Sequence, residues 1–207
     1  TQLKQIVRDF QPDVLHNHAP TLGLPIRFAT INLPLATTFH LEVLGQSKRR
    51  LARAAVRLDD GAFGERACCI SGMMKQWMLE TLGLPESRLS LIYNGVDPER
   101  FAPATSQQRL EARRQFDVPQ DAMVVAMVAL LDPRKNHALL LDALAHCRNR
   151  GVPVYALCAG TGSPARIQAM NQRTEHLNIA ERVRWLGHTD ALKVYHASDV
   201  VCLPSTQ

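Results

Sequence analysis

Two adjacent cations in Leu131-Asp132-Pro133-Arg134-Lys135-Asn136-His137 mark the first place where this chain could do chemistry. They sit between an apolar run and an amphipathic stretch, so the segment leads from a strand into a helix. Asn136 suits the N-cap, which leaves the N–H groups of the first helical turn pointing at the loop. Arg134 and Lys135 beside that helix end form a site for a diphosphate, where negative charge grows as a sugar–phosphate bond breaks. The ordinary alternative for a lone basic pair is a solvated surface.

A second segment, Gly160-Thr161-Gly162-Ser163-Pro164-Ala165, also follows an apolar run and opens a helix. Ser163 suits the N-cap and Pro164 the first helical position. Gly160 and Gly162 let backbone come close to a phosphate. The spacing matches the dinucleotide fingerprint, but His188 stands near the place where that fingerprint needs an acid, which disfavours a nicotinamide cofactor. Histidines supply the third group. His16 and His18 alternate along one strand and share a side of it. They lack a third ligand at useful spacing, so a hydrogen-bonding role is favoured over a metal. His40 ends Ala36-Thr37-Thr38-Phe39-His40, where it can hydrogen-bond a sugar hydroxyl, polarise a reacting group, or simply cap the next helix.

The elements that must carry these groups follow from the pattern. Short apolar, β-branched runs predict strands over residues 13–18, 35–40, 67–71, 89–94, 123–131, 154–160, 183–187 and 200–205. Amphipathic stretches predict helices over 43–62, 72–81, 107–116, 137–150, 164–177 and 191–196. Strands apolar on both faces and separated by helices demand parallel pairing under two helical layers, an α/β doubly wound fold. Asn94-Gly95 with Pro98 and Pro103 predicts a boundary near 95–105, giving partial Rossmann-like domains over 1–100 and 101–207. Ligands bind beyond the carboxyl ends of such strands. Those ends carry His18, His40, Ser71, Asn94, Asp132, Gly160, His188 and Ser205. Three histidines at eight strand ends point to a cleft lined from both domains.

Composition narrows the classes. With 46% hydrophobic and 21% charged residues in 207, the chain is neither disordered nor membrane-spanning, and no apolar run reaches the roughly 20 residues a bilayer needs. Its ends at Thr1 and Gln207 read as cuts through a larger fold. Five cysteines at non-zinc spacings, each in an apolar run, read as small buried side chains in a reducing cytosol. The net charge of +5 is compatible with phosphate ligands or an anionic membrane surface. Part of it forms a stripe of Lys48, Arg49, Arg50, Arg53 and Arg57 at helical spacing, either a solvated face or a dock for anionic lipid headgroups. Without interleaved aromatics the stripe does not fit nucleic acid.

Taken in order, the segments Asp13-Val14-Leu15-His16-Asn17-His18, Thr38-Phe39-His40, Tyr93-Asn94-Gly95-Val96-Asp97 with Phe101, and Asp132 to His137 resemble family 4 of the GT-B glycosyltransferases. Gly160-Thr161-Gly162, Leu186-Gly187-His188 and Leu203-Pro204-Ser205 complete the series over nearly the whole chain. The resemblance implies two facing Rossmann-like domains, a nucleotide-diphosphate sugar held by the C-terminal one, and an acceptor on the N-terminal one. It implies transfer with retention and without a metal at the phosphates. By position, Arg134 and Lys135 match the residues that contact the donor diphosphate, and Gly160 and Gly162 the turn beneath it. His188 matches the approach to the base, Ser205 the donor side, His40 the histidine near the donor sugar, and His18 the acceptor side. Lys135 and His40 are thus the expected catalytic pair.

Departures from the family pattern bear on activity. Ala129 and Leu130 stand where members often carry Gly-Arg, and Thr161 replaces an acid in the glycine turn. The paired glutamates expected just after Ser205 lie beyond these 207 residues, so the resemblance predicts weak donor binding and no turnover by the chain alone. The expected activity of the full-length protein is sugar transfer to a saccharide or lipid-linked acceptor in cell-surface polysaccharide or glycolipid synthesis, in the cytoplasm or at the inner membrane face. A GT-B nucleotide-sugar epimerase and a non-catalytic nucleotide-sugar-binding module are the competing readings.

Overall fold

The computed structural model describes residues 2–18, 26, 33–40, 50, 53, 64 and 66–206. The expected helix over 43–62 and the basic stripe lie outside the described residues, apart from the exposed helical Arg50 and Arg53. The chain forms two compact units, Thr1–Val96 and Asp97–Gln207.

Helix α1 (Gln2–Phe10) opens the first unit, followed by strands β1 (Leu15–Asn17), β2 (Leu35–Phe39), β3 (Arg66–Cys69) and β4 (Leu89–Leu91). They pair in parallel in the order β1-β2-β3-β4. Helix α2 (Gly72–Trp77) runs between β3 and β4 and continues through a wider turn over Met78–Leu82 to Gly83, whose φ of 75° ends it. Its Met74, Met78 and Leu82 pack on Phe39, Ala67 and Cys69 of the sheet. Ser71 caps it, accepting from Met74 N at 3.2 Å.

The second unit is a small α/β layer structure. Its parallel strands are β5 (Met123–Val128), β6 (Val154–Ala159), β7 (Val183–Gly187) and β8 (Val200–Val201), in the order β7-β6-β5-β8. Helices α3 (Ser106–Gln115) and α6 (Ala191–Ala197) cover one face of that sheet, where Ala112, Phe116 and Val194 meet Val124, Ala126 and Leu157. Helix α4 (His137–Asn149) covers the other, with Leu140, Leu141 and Leu144 on Met127, Ala156 and Cys158. Helix α5 (Pro164–His176) adds Met170 to that side. Successive residues of β5 and β6 thus bury on opposite faces, the two-sided apolar strand that parallel pairing requires. Both sheets are parallel and the fold class is α/β, as the apolar runs predict.

β5 ends at Val128 rather than Leu131, and two strands at sheet edges also stop short of expectation. β4 ends at Leu91 and β8 at Val201, not at Asn94 and Ser205. Each ends its sheet's order, so pairing holds it on one side only, and Tyr93, Val200 and Val201 are exposed despite their apolar character.

A buried cation closes the second unit. Arg113, 1% exposed, donates to the carbonyls of Ala197, Gln120 and Ala122 and to Asp199 at 2.8 Å. Asp199 also pairs with Arg109 and accepts from Val124 N at 2.7 Å. Burial works to raise the Asp199 pKa, but the Val124 N–H and the two guanidiniums outweigh it, so the carboxyl sits below its ordinary range.

Candidate functional site

In the second sheet the chain steps outward from β5 to β6 and β7, then returns to add β8 on the other side of β5. That reversal is a topological switch point, and open α/β sheets bind ligands beyond the carboxyl ends of the strands at such a point. The loop after β5 carries Arg134 and Lys135; the segment after β8 carries Ser205. They are in contact: Thr206 N donates to the Arg134 carbonyl at 3.0 Å.

The loop is organised differently from the sequence-based expectation. Asn136 does not cap α4 with its side chain; it sits in the left-handed region at φ 58° and makes no side-chain capping bond. Asp132 does the capping instead, for a short 3-10 turn over Pro133–Lys135. Its Oδ1 accepts from Arg134 N at 2.9 Å, and its two oxygens receive Nε and a terminal nitrogen of the Arg134 guanidinium at 2.9 and 2.8 Å. This fork-on-fork pair is the strong kind of charged hydrogen bond. The Arg134 side chain therefore holds Asp132 well below the usual carboxylate range and has its own cation largely compensated. Lys135 is half-buried and has no ion pair among the described residues. Of the two cations, Lys135 is the one left free for a ligand.

Arg166, which sequence reasoning did not single out, stands close enough to bear on Asp132. It comes from the first turn of α5 and helps line a cavity of about 210 Å³ with Asp132, Asn136 and His137. His137 is 96% buried, counting its 4% exposure, and its Nε2 has no hydrogen-bond partner among the described residues. Burial pushes its pKa down, so the ring stays neutral. The Ser205 hydroxyl is likewise buried and unpartnered among the described residues.

The glycine turn follows β6 and lies against the segment that leads into the cationic loop. Thr161 O accepts from Leu131 N at 2.9 Å, and Gly160 N donates to Gly187 O at 2.7 Å. A Cβ on Gly160 would stand 1.9 Å from the Ala129 carbonyl oxygen, at a φ of +142°. On Gly162 it would stand 2.7 Å from the Leu131 Cβ. The chain's own packing demands both glycines, independently of any ligand. Ser163 caps α5 and Pro164 takes its first position, as predicted. His188 follows β7 and is exposed.

In the first unit, His16, His18 and His40 gather at the ends of the neighbouring strands β1 and β2. His16 and His18 share a side of β1, with ring centroids 4.2 Å apart, while Asn17 between them is buried. His16 Nε2 meets Thr38 Oγ1 at 2.8 Å, and His18 Nδ1 meets His40 Nε2 at 2.9 Å. No cluster of three metal-ligating side chains occurs among the described residues.

Comparison with known proteins identifies this architecture. Over 99% of its length the chain superposes on the Anabaena protein Alr3699/HepE in complex with UDP and glucose, with a TM-score of 0.82 at 21% identity, covering 56% of that chain. A glycosyltransferase from Rickettsia africae matches over the full length at a TM-score of 0.79 and 20% identity, with 55% of that chain covered. The fold is that of the GT-B glycosyltransferases. The sequence model of Glycosyltransferase Family 4 matches residues 1–100, and that of Glycosyl transferases group 1 matches residues 108–207. Between them they account for nearly the whole chain, which belongs to family 4 of the glycosyltransferases. The phosphatidyl-myo-inositol mannosyltransferase of Mycobacterium tuberculosis is 29% identical over 202 residues, 94% of this chain and 48% of that protein. The UDP-Gal:alpha-D-GlcNAc-diphosphoundecaprenol alpha-1,3-galactosyltransferase of Escherichia coli is 26% identical over 213 residues, 98% of this chain and 54% of that protein. The chain spans about half the length of these two relatives.

Proposed function

We propose that the full-length protein moves a hexosyl group from a nucleotide-diphosphate sugar to a saccharide or lipid-linked acceptor, with retention of configuration and without a metal at the diphosphate. The observation that carries this is the switch point, where the loop with Lys135, which has no ion pair among the described residues, is hydrogen-bonded to the segment with Ser205, whose hydroxyl has no partner among them. As the sugar–phosphate bond breaks, the β-phosphate gains charge; Lys135 meets that charge, and the N-terminal end of α4 adds its dipole. Arg134 acts mainly by holding the loop through Asp132. Gly160 and Gly162 form the floor, His188 stands on the base side and Ser205 donates to the donor. The second unit is thus the donor domain and the first the acceptor domain, where His40 orients the donor sugar and His18 faces the acceptor side.

Two similar proteins support the substrate class. Alr3699/HepE carries UDP and glucose, and the Mycobacterium tuberculosis relative is named for mannosyl transfer to a phosphoinositide. A lipid-linked acceptor places the work at the cytoplasmic face of a membrane, in cell-surface glycolipid or polysaccharide synthesis. No described helix is long and apolar enough to cross a membrane. Contact through the Lys48–Arg57 stripe fits that placement, and charge reversal at Arg49, Arg53 and Arg57 abolishes binding to anionic liposomes if the stripe carries it.

The test is product analysis of the full-length protein with radiolabelled nucleotide sugars and candidate acceptors. Release of nucleoside diphosphate matched by label in a glycoside supports transfer. Free epimerised sugar as the sole product identifies an epimerase, and binding without any product identifies a binding module.

A further inference from the structure

The geometry points to His18 as the positioning residue of His40: the ring–ring hydrogen bond between them fixes the orientation and the tautomer of the histidine that meets the donor sugar. This rests on the proposal that His40 touches that sugar. His40 is exposed at the strand end just past β2, and by itself its ring could rotate among several rotamers. Its Nε2 instead lies 2.9 Å from His18 Nδ1, with the two rings 23° from coplanar and their centroids 5.2 Å apart. His18 is held in turn. Its other neighbour is the His16 ring, 4.2 Å away, and His16 is anchored by the hydroxyl of Thr38, 8% exposed on β2. Thr38, His16, His18 and His40 form a chain of supports that begins in the sheet and ends at the ligand-facing ring.

The bond carries a second constraint. A hydrogen bond between two neutral imidazoles needs one nitrogen with a proton and one without. Because it joins Nδ1 of one ring to Nε2 of the other, the two neutral rings must adopt the same tautomer. If His40 Nε2 carries the proton, His18 Nδ1 is bare, its proton is on Nε2, and His40 Nδ1 is left as an acceptor. If His18 Nδ1 carries it, His40 Nε2 is bare and His40 Nδ1 becomes a donor. Nδ1 of His40 has no partner among the described residues, so it is the nitrogen available to a ligand hydroxyl. Whether His40 accepts from or donates to that hydroxyl is therefore decided at His18. Such outer partners of a functional histidine set tautomer and ring orientation elsewhere, and their loss typically costs about 10–100-fold.

Ring 15N–1H spectra and kinetics on the full-length protein test this separately. At pH 8, where ordinary imidazoles are neutral, His18 and His40 show the same tautomer in the unmodified protein; opposite tautomers overturn the pairing. His18→Phe keeps ring volume and removes the bond. The His40 ring signals then collapse toward a tautomer average, and kcat falls about 10–100-fold with donor KM changed less than about threefold. His18→Asn, whose amide reaches the Nδ1 position, restores kcat to within about fivefold of the unmodified enzyme, which a purely structural role for the ring would not give. Unchanged His40 signals in His18→Phe overturn the inference outright. Altered His40 signals with full activity in both His18→Phe and His40→Ala keep the pairing but remove His40 from the donor, so the failure lies with the functional proposal.

Discussion

Replacing Lys135 and Arg134 with alanine, one at a time, separates two cations that are neighbours in sequence and unlike in situation. Lys135 is half-buried without a counter-ion among the described residues, so a phosphate oxygen about 4 Å away at an effective dielectric of about 20 gains roughly 4 kcal/mol of attraction. Losing a preorganised partner of developing charge costs about 2.7–4 kcal/mol in comparable sites, or about 100–1000-fold. Lys135→Ala should therefore lower kcat/KM by about two to three orders of magnitude in the full-length enzyme, read by release of nucleoside diphosphate. Arg134 is 64% exposed and its guanidinium already engages both oxygens of Asp132. Its removal costs only a screened, exposed interaction, so kcat/KM should fall by no more than about fivefold. A third variant sharpens the contrast. Asp132→Asn keeps an oxygen to cap the turn but drops the charge that occupies Arg134. In the Lys135→Ala background it should recover about tenfold by releasing the guanidinium toward the donor. Equal losses for Arg134→Ala and Lys135→Ala, or a Lys135→Ala enzyme within fivefold of the unmodified one, would refute this division of labour.

Three further predictions concern the frame that holds the site. Gly160→Ala forces a methyl group into the Ala129 carbonyl at a backbone conformation unsuited to it, and should cost about 1–3 kcal/mol in denaturant unfolding. Asp199→Ala strands the buried Arg113 without its carboxylate and should cost about 3–5 kcal/mol. Because the Asp199 pKa is depressed on folding, its contribution is complete above the unfolded value near 3.9 and is lost as pH falls through the lower folded value; Asp199→Asn should flatten the acid limb below about pH 4. His137 has its pKa lowered by burial, so the unfolded chain takes up the proton first and stability drops as pH falls below about 6.5; His137→Phe should remove that slope between about pH 7 and 5 in thermal melts.

Much of the frame was legible because it rests on two-sided burial. β6 and β7 read correctly from their runs of apolar residues, β5 read three residues too long, and β6 is buried at five of its six positions. β4 and β8 read too long because apolar composition does not reveal that a strand ends its sheet, where Tyr93 and Val201 stay exposed. Asn136 does stand at the N-cap position of α4, but without a side-chain capping bond, and the cap that orders the cationic loop is Asp132. An Asp directly before Pro133 carried the correct signal, since proline favours the first helical position and aspartate the cap before it. Arg113 could not be found in this way: its charge sits in a helix and its partner Asp199 lies 86 residues on, a pairing that periodicity does not encode. The side of β1 shared by His16 and His18 followed from alternation, but the bond from His18 to His40 depends on the register of β1 against β2.

The proposed donor site at the ends of β5 and β8 is tested most directly by a crystal structure of the full-length protein with UDP. Lys135 Nζ should lie about 3 Å from a diphosphate oxygen, with the Ser205 hydroxyl turned to the same ligand and Arg134 still on Asp132. A diphosphate bound elsewhere, with Lys135 directed into solvent and Ser205 unengaged, would contradict the assignment of this loop as the donor site.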